Sequence, residues 1–375
     1  MSEGRFASPS DLAQVLSQNV VYFRPKGDNS GLLVVNKPAG VPLKTSEDGQ
    51  IGMNEAMPEL AEKLKVKKIH VVKSVQRHAS GCAILCTRDQ GVSQVQRSLK
   101  RQSGFDRILG QTYFALCCGI PRKTNVIETV DIGYENIREE KSLMSDMNKN
   151  KEPVINRIIA SRTGLKKDRE KTKNKIKRVS VEMDTLSKGE DGRVSLIKIE
   201  PTSTDQSFLQ IYSADMLSPI IGDHIYGYRA KLFMNKMVRV SPQKSPDSNA
   251  SVQNLPEWIP NKLGLQVHEE SLIPLHLHLG RIHLPGFFGQ NNHLTIHAPP
   301  RPYFLGTADF LGIKYDFENI MQDNDIRQYI PVQQKKKFPK HGIEILTPDD
   351  INSDNEFNQK YLDMICEDEN AENLK

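Results

Sequence analysis

Five histidines fall late in the chain: His276, His278, His283, His293 and His297. On a strand, His276 and His278 share one face, and His293 and His297 could share one face of a helix, so a zinc site is conceivable. No carboxylate or cysteine stands beside them at metal-like spacing, which favours histidines half-buried on strands near backbone carbonyls. The five cysteines, Cys82, Cys86, Cys117, Cys118 and Cys366, form no CxxC pair and no regular framework, a pattern of a reducing compartment without a disulfide scaffold. Cys117 and Cys118 would face opposite sides of a strand. A basic run holds Lys166, Lys167, Arg169, Lys171, Lys173, Lys175, Lys177 and Arg178 against two acidic residues. It reads as an arm that neutralises phosphates or as a solvated loop. Lys335, Lys336, Lys337 and Lys340 form a smaller patch with the same two readings. There is no glycine-rich phosphate loop, no Gly-x-Ser-x-Gly and no His-Glu-x-x-His. Neither a metal nor a cofactor is expected.

The elements that must position chemistry are short. Residues 11–22 read as a helix running into an extended segment. Leu32 to Asn36 is an apolar run stopped by Lys37-Pro38-Ala39-Gly40, a buried strand ending in a turn. Residues 51–66 have helical spacing. Ala83 to Cys86 is a second core strand, residues 90–101 a helix carrying Arg97, Lys100 and Arg101, and Tyr113 to Cys118 a third strand. Residues 148–190 are so charge-dense that they are expected to be a basic mobile insertion. Order resumes at Val194 to Glu200 and again at Leu209 to Ala214. Residues 241–256 are a polar loop, Leu272 to Leu284 and His293 to Ala298 alternate like strands, and the chain after Pro348 is acidic. The pattern predicts an α+β fold with a central mixed, mostly antiparallel sheet flanked by helices. Residues 1–14 are expected to be a flexible terminus, 15–310 the domain, and 311–375 a polar extension with an acidic tail.

Several segments occur in an order that resembles the RluA-type RNA pseudouridine synthases. Leu32-Leu-Val-Val-Asn-Lys-Pro-Ala-Gly-Val-Pro42 is similar to the family's opening strand and turn. Val71 to Gly81 stands where the family carries its active-site loop, His-Arg-Leu-Asp followed by two variable residues and a Thr/Ser-Ser/Thr-Gly end. Gln111 to Leu116 resembles the strand that bears an active-site tyrosine, here Tyr113. Ile199 to Ser203 and Pro219 to Gly227 resemble the segments flanking the family's second arginine. Pro274 to His278 with Leu284-Pro285 resembles its last motif. The Leu-His-Leu-His and Gly-Asp-His runs are most similar to the mitochondrial branch in animals. The resemblance implies a pseudouridine synthase fold from about residue 15 to about residue 305.

It also implies a chemistry that this sequence departs from. The family uses an aspartate carboxylate against uridine held in a pocket, with a tyrosine to stack and an arginine to pair with the aspartate. Counted back from Ser80-Gly81, the aspartate position holds Gln76, the arginine before it Ser74 and the histidine Lys73. Arg77 follows directly. A glutamine amide is neither a useful nucleophile nor a base near neutrality. No Asp or Glu occurs between Lys63 and Arg88, so a one-residue shift restores nothing. The family's two later arginine positions hold Asp205 and Gln210. Exchanging arginine for aspartate reverses the charge. The expected active-site-like pocket is therefore Ser74, Gln76, Arg77, Tyr113, Asp205 and Gln210, without an intact catalytic set.

The net charge of +5 over 375 residues is mild, so a basic surface must come from how charge is distributed. No stretch is long and apolar enough to span a bilayer as a helix, and no membrane partner is expected. The first eleven residues give no readable presequence. Three functions stand open: an RNA-binding member impaired in catalysis, a working uridine-to-pseudouridine isomerase, or an assembly factor of an organelle RNA–protein particle with protein partners. The resemblance suggests RNA of the mitochondrion (rRNA, tRNA or mRNA), with the cytoplasm as the other location. No N-terminal S4-like RNA-binding domain is expected, because too few residues precede Leu32 to build one.

Overall fold

The computed structural model describes residues 5–24, 30–103, 109–138, 154–161, 176–234, 236–240, 252–266, 269–289 and 292–317. The elements in chain order are α1 (Pro9–Gln18), β1 (Val20–Phe23), β2 (Leu32–Lys37), α2 (Met53–Lys63), β3 (His70–Lys73), β4 (Ser80–Cys86), α3 (Asp89–Ser103) and β5 (Gln111–Cys118). There follow β6 (Asn125–Arg138), β7 (Val154–Ser161), β8 (Lys177–Lys188), β9 (Val194–Pro201), α4 (Phe208–Asp215), β10 (Ala230–Phe233), β11 (Lys236–Arg239), α5 (Trp258–Lys262), β12 (Leu277–Leu284), β13 (Leu294–His297) and α6 (Pro302–Phe310).

Eleven strands make one sheet in the order β1-β2-β4-β12-β5-β9-β8-β6-β7, with β13 on β12 and β3 on β4. Every described pairing in it is antiparallel except that of β4 with β12. The fold is α+β with a mixed, mostly antiparallel sheet, as the element pattern indicates. Alternation along each strand sends side chains to two faces. One face carries Ile84, Tyr113, Ala115, Ile197, Leu277 and Leu279 beneath α3 and α4. The other is divided. Leu33, Val35 and Leu85 pack on α1 and α2, while Phe114, Leu116 and Leu196 pack on α5 and α6. Cys117 and Cys118 accordingly lie in different cores.

β12 approaches β4 so closely that a Cβ on Gly81, whose φ is +119°, would lie 2.3 Å from the Leu279 carbonyl oxygen. Glycine meets both demands, the left-handed backbone and the missing side chain.

The structure corrects three sequence expectations. The stretch 148–190 is not wholly a mobile insertion, because it contains β7 and β8. β8 lies inside the sheet between β9 and β6, and Val179, Val181 and Met183 are fully buried. Their period of two was hidden by the lysine-rich composition around them. Lys166, Lys167, Arg169, Lys171, Lys173 and Lys175 lie outside the described residues, as do most of the 241–256 loop, the lysine patch at 335–340 and the acidic tail. The terminus 1–14 is not loose throughout: Ser8 caps α1, its hydroxyl accepting from the Asp11 N–H at 3.1 Å, and Leu12 and Ala13 are buried. The domain also runs past residue 310. Leu311 and Ile313 are buried, and Phe317 meets the Phe114 ring edge-on at 5.6 Å.

Candidate active site

A cavity of about 490 Å³ opens on the face that carries α3 and α4. One wall is the loop after β3, with Ser74, Val75, Gln76, Arg77 and Ala79. The opposite wall is the turn into α4, with Thr204, Asp205, Ser207 and Leu209. Tyr113 of β5 and Leu277 of β12 form the floor and Leu43 the rim. A cavity of this size admits one nucleoside.

The loop wall is held from below by main-chain bonds. Lys37 is fully buried at the end of β2, and its ammonium donates to the carbonyls of Pro38 at 2.9 Å, Val41 at 3.1 Å and Arg77 at 3.2 Å. The Gly40 N–H adds a bond to the same Arg77 carbonyl at 2.8 Å. Burial pushes the Lys37 amine down to about 7. The Ala79 N–H closes on the Gln76 carbonyl at 3.2 Å. The run Lys37-Pro38-Ala39-Gly40 thus works as a clamp on the loop. At the rim, Arg77 Nη2 donates to Asp48 at 2.7 Å and to Gln50 at 2.5 Å. Hydrogen bonds from Ser46 and Arg77 hold the Asp48 carboxyl down at about 2.

The α4 wall is strained and charged. Ser207 has φ +56°, a left-handed conformation that costs a non-glycine residue of order 1 kcal/mol and concentrates at functional sites. Asp205 pairs with Lys177 of β8 and accepts from Ser203 Oγ at 2.9 Å. Lys177, then Ser203, hold its carboxyl below the usual range, so it is ionised at neutral pH. Lys73, at the end of β3, is drawn to it electrostatically, while burial lowers the Lys73 amine. Tyr113 is 4% exposed, and its hydroxyl donates to Gln111 Oε1 at 3.2 Å. Burial raises its pKa, so the phenol stays neutral.

Of the six pocket residues expected from sequence, Ser74, Gln76, Arg77, Tyr113 and Asp205 do line the cavity. Gln210 does not. It is 2% exposed within α4, beside the buried Asp223, because the helix turns that position inward. Lys177 and Arg178 are also not the end of a free basic arm. Lys177 is bound to Asp205, and Arg178 Nε to Asp131 at 2.9 Å. The sequence reading missed the Lys37 clamp, Ser207 and Leu277. A lysine between an apolar strand and Pro-x-Gly was the available signal for the first.

Of the late histidines, His278 and His283 lie on β12, and His276 stands just before it. His276 Nε2 bonds Thr307 at 2.9 Å, and His278 bonds Ser80 Oγ at 2.9 Å and the Ala298 carbonyl at 2.9 Å. Burial lowers both to about 4. His297 lies on β13, and His293 precedes it.

Residues 31–208 match the family model described as RNA pseudouridylate synthase, and this segment belongs to that family. It contains every cavity residue except Leu209 and Leu277. Among curated proteins, the chain is 25% identical to human mitochondrial mRNA pseudouridine synthase RPUSD3 over 290 residues, 76% of each chain. It is 26% identical to the bovine protein of that name over 311 residues, 82% of this chain and 81% of the other. The zebrafish mitochondrial pseudouridylate synthase RPUSD4 is 25% identical over 317 residues, 81% of this chain and 76% of that one. Among solved structures, human RNA pseudouridylate synthase domain containing 4 superposes with a TM-score of 0.57 at 19% identity, covering 82% of this chain and 98% of that chain; this likeness concerns the fold.

Proposed function

We propose that this protein binds RNA by receiving an extruded nucleotide in the cavity between the 74–79 loop and the 203–207 turn, and that uridine isomerisation there is impaired. The observation that carries this reading is the placement of Gln76. It lines the cavity beside Tyr113 on a well-supported loop, where the family resemblance calls for the attacking carboxylate. Asp205, the one carboxylate among the cavity-lining residues, does not replace it. It sits on the opposite wall with its charge engaged by Lys177 and Ser203, which lowers its basicity. The cavity thus keeps what holds a base and lacks what attacks the sugar or C6.

The names of the relatives favour a second reading, a working pseudouridine synthase on RNA. The same names support RNA of the mitochondrion as the ligand. One experiment separates the readings. RNA carrying 5-tritiated uridine loses tritium to water when C5 becomes the glycosidic carbon. The wild type is expected to stay at the no-protein blank, and Gln76→Asp to release tritium if one lost carboxylate explains the silence. Release by the wild type would overturn impairment. Silence from both would extend the lesion to the exchanged charge at Asp205.

A further inference from the structure

Two lysines from opposite sides of the sheet act on Asp205 at the edge of the cavity. Lys177 continues the alternation of Val179, Val181 and Met183, which are buried in the core on the cavity face. Lys73 reaches that face by another route. Val71 stands opposite Leu85 of β4 and Lys73 opposite Ile84, so β3 carries one extra residue between them. Leu85 belongs to the face under α1 and α2, and Ile84 to the cavity face. Regular pairing would leave Lys73 on the side of Val71, and the bulge turns it to the other. Asp205 stands between the two. Its Oδ2 accepts from Lys177 Nζ and from Ser203 Oγ at 2.9 Å, and the charge of Lys73 acts on the same carboxylate.

The family resemblance calls for arginine at position 205. Here the position is negative, and cations from two distant strands gather around it. Two ammonium groups and a hydroxyl about one anion form a donor set that suits a phosphate diester. A nucleotide inserted in the cavity must leave its phosphates at the mouth, because an unpaired anion is too costly to bury. The Asp205 side chain is 53% exposed and that of Lys177 48%, so their pair stands in water and is weakly held. Carboxylate and phosphate cannot share these cations without repelling each other. We propose that Lys73, Lys177 and the Ser203 hydroxyl form a phosphate subsite for the nucleotide held in the cavity, and that Asp205 occupies this subsite in the free protein until the phosphate displaces it. The inference rests on the RNA-binding reading above. A free phosphate would meet the subsite only, whereas a strand fills cavity and subsite together and gains from both.

The test is fluorescence anisotropy of a short fluorescein-labelled oligouridine against the full chain, across a salt series, with thermal melts confirming that each variant folds. Lys73→Gln/Lys177→Gln should weaken binding about tenfold and reduce the slope of log affinity against log salt by about 0.7, the loss of one phosphate contact on a single strand. Asp205→Asn should strengthen binding about two- to fivefold, and the gain should vanish when both lysines are already glutamine, because the two changes act on one contact. No RNA binding by the wild type overturns the parent reading and this one together. Wild-type binding that the double lysine variant leaves unchanged in affinity and slope overturns the subsite alone. A gain from Asp205→Asn that persists without the lysines marks plain charge repulsion, and no gain at all marks a structural ion pair; either overturns the exchange. Displacement of the strand by millimolar inorganic phosphate at constant ionic strength would assign the lysines to free anions and also overturn the proposal.

Discussion

The two walls of the cavity are built on different principles. The 74–79 loop is fixed through the backbone: Lys37 and Gly40 grip carbonyls, and no bond in that clamp depends on which side chain occupies position 76. The 203–207 turn is fixed through side chains at a half-exposed ion pair between Asp205 and Lys177. A backbone-held wall keeps its shape while its side chains change. A side-chain-held wall changes shape and charge together. A pocket can therefore keep its outline after its reactive groups have been exchanged.

The comparison breaks most sharply at Lys37. Lys37→Met removes the donor to three carbonyls; that of Arg77 keeps the Gly40 N–H, but those of Pro38 and Val41 lose the lysine in the interior, which should cost about 2 kcal/mol or more. Urea denaturation should show a lower midpoint at unchanged slope. An unchanged midpoint would mean that the loop does not depend on the clamp.

The sheet beneath both walls makes a pH-dependent contribution. His276 and His278 fall from the ordinary 6.5 to about 4 in the fold, so between those values the unfolded chain binds more protons. Stability is therefore lost as pH falls from about 6.5 towards 4. Asp223, raised to about 6 by burial, acts with the opposite sign between 3.8 and 6, where its native carboxyl holds a proton. Two histidines outweigh one aspartate, and melting temperature should drop over this acid range. His278→Asn should make the drop shallower.

The smallest effect on stability belongs to the side-chain-held wall. Asp205→Asn should change stability by less than about 1 kcal/mol, because the pair is half in water. It should nevertheless raise RNA affinity about two- to fivefold by removing a like charge near the strand and releasing Lys177 towards phosphate. Anisotropy and a urea curve on the same variant check both halves. A loss of affinity would show that Asp205 contacts the base.

Much of this was legible in the residue order. The buried strands announced themselves through Leu32 to Asn36 and Tyr113 to Cys118, and the cavity loop through Ser80-Gly81. β8 was not legible, because three buried apolar residues at period two sat in a window dominated by lysine. Gln210 was misplaced for a different reason. It was placed in the pocket by its position in the family motif, whereas Phe208 starts a helix that turns position 210 into the core. The link between Asp205 and Lys177 spans 28 residues, and no local pattern encodes a meeting at that separation.

β12 enters the sheet late. Residues 277–284 fill the slot between β4 and β5, strands made from residues 80–86 and 111–118. A nascent chain must therefore keep two apolar strand edges apart until about 160 more residues have been added. Contacts of such long range are slow to form, and open edges invite pairing with other chains. The cavity floor, completed by Leu277, is accordingly among the last parts to form. Synthesis of this protein should depend on a holding chaperone more than its modest size suggests.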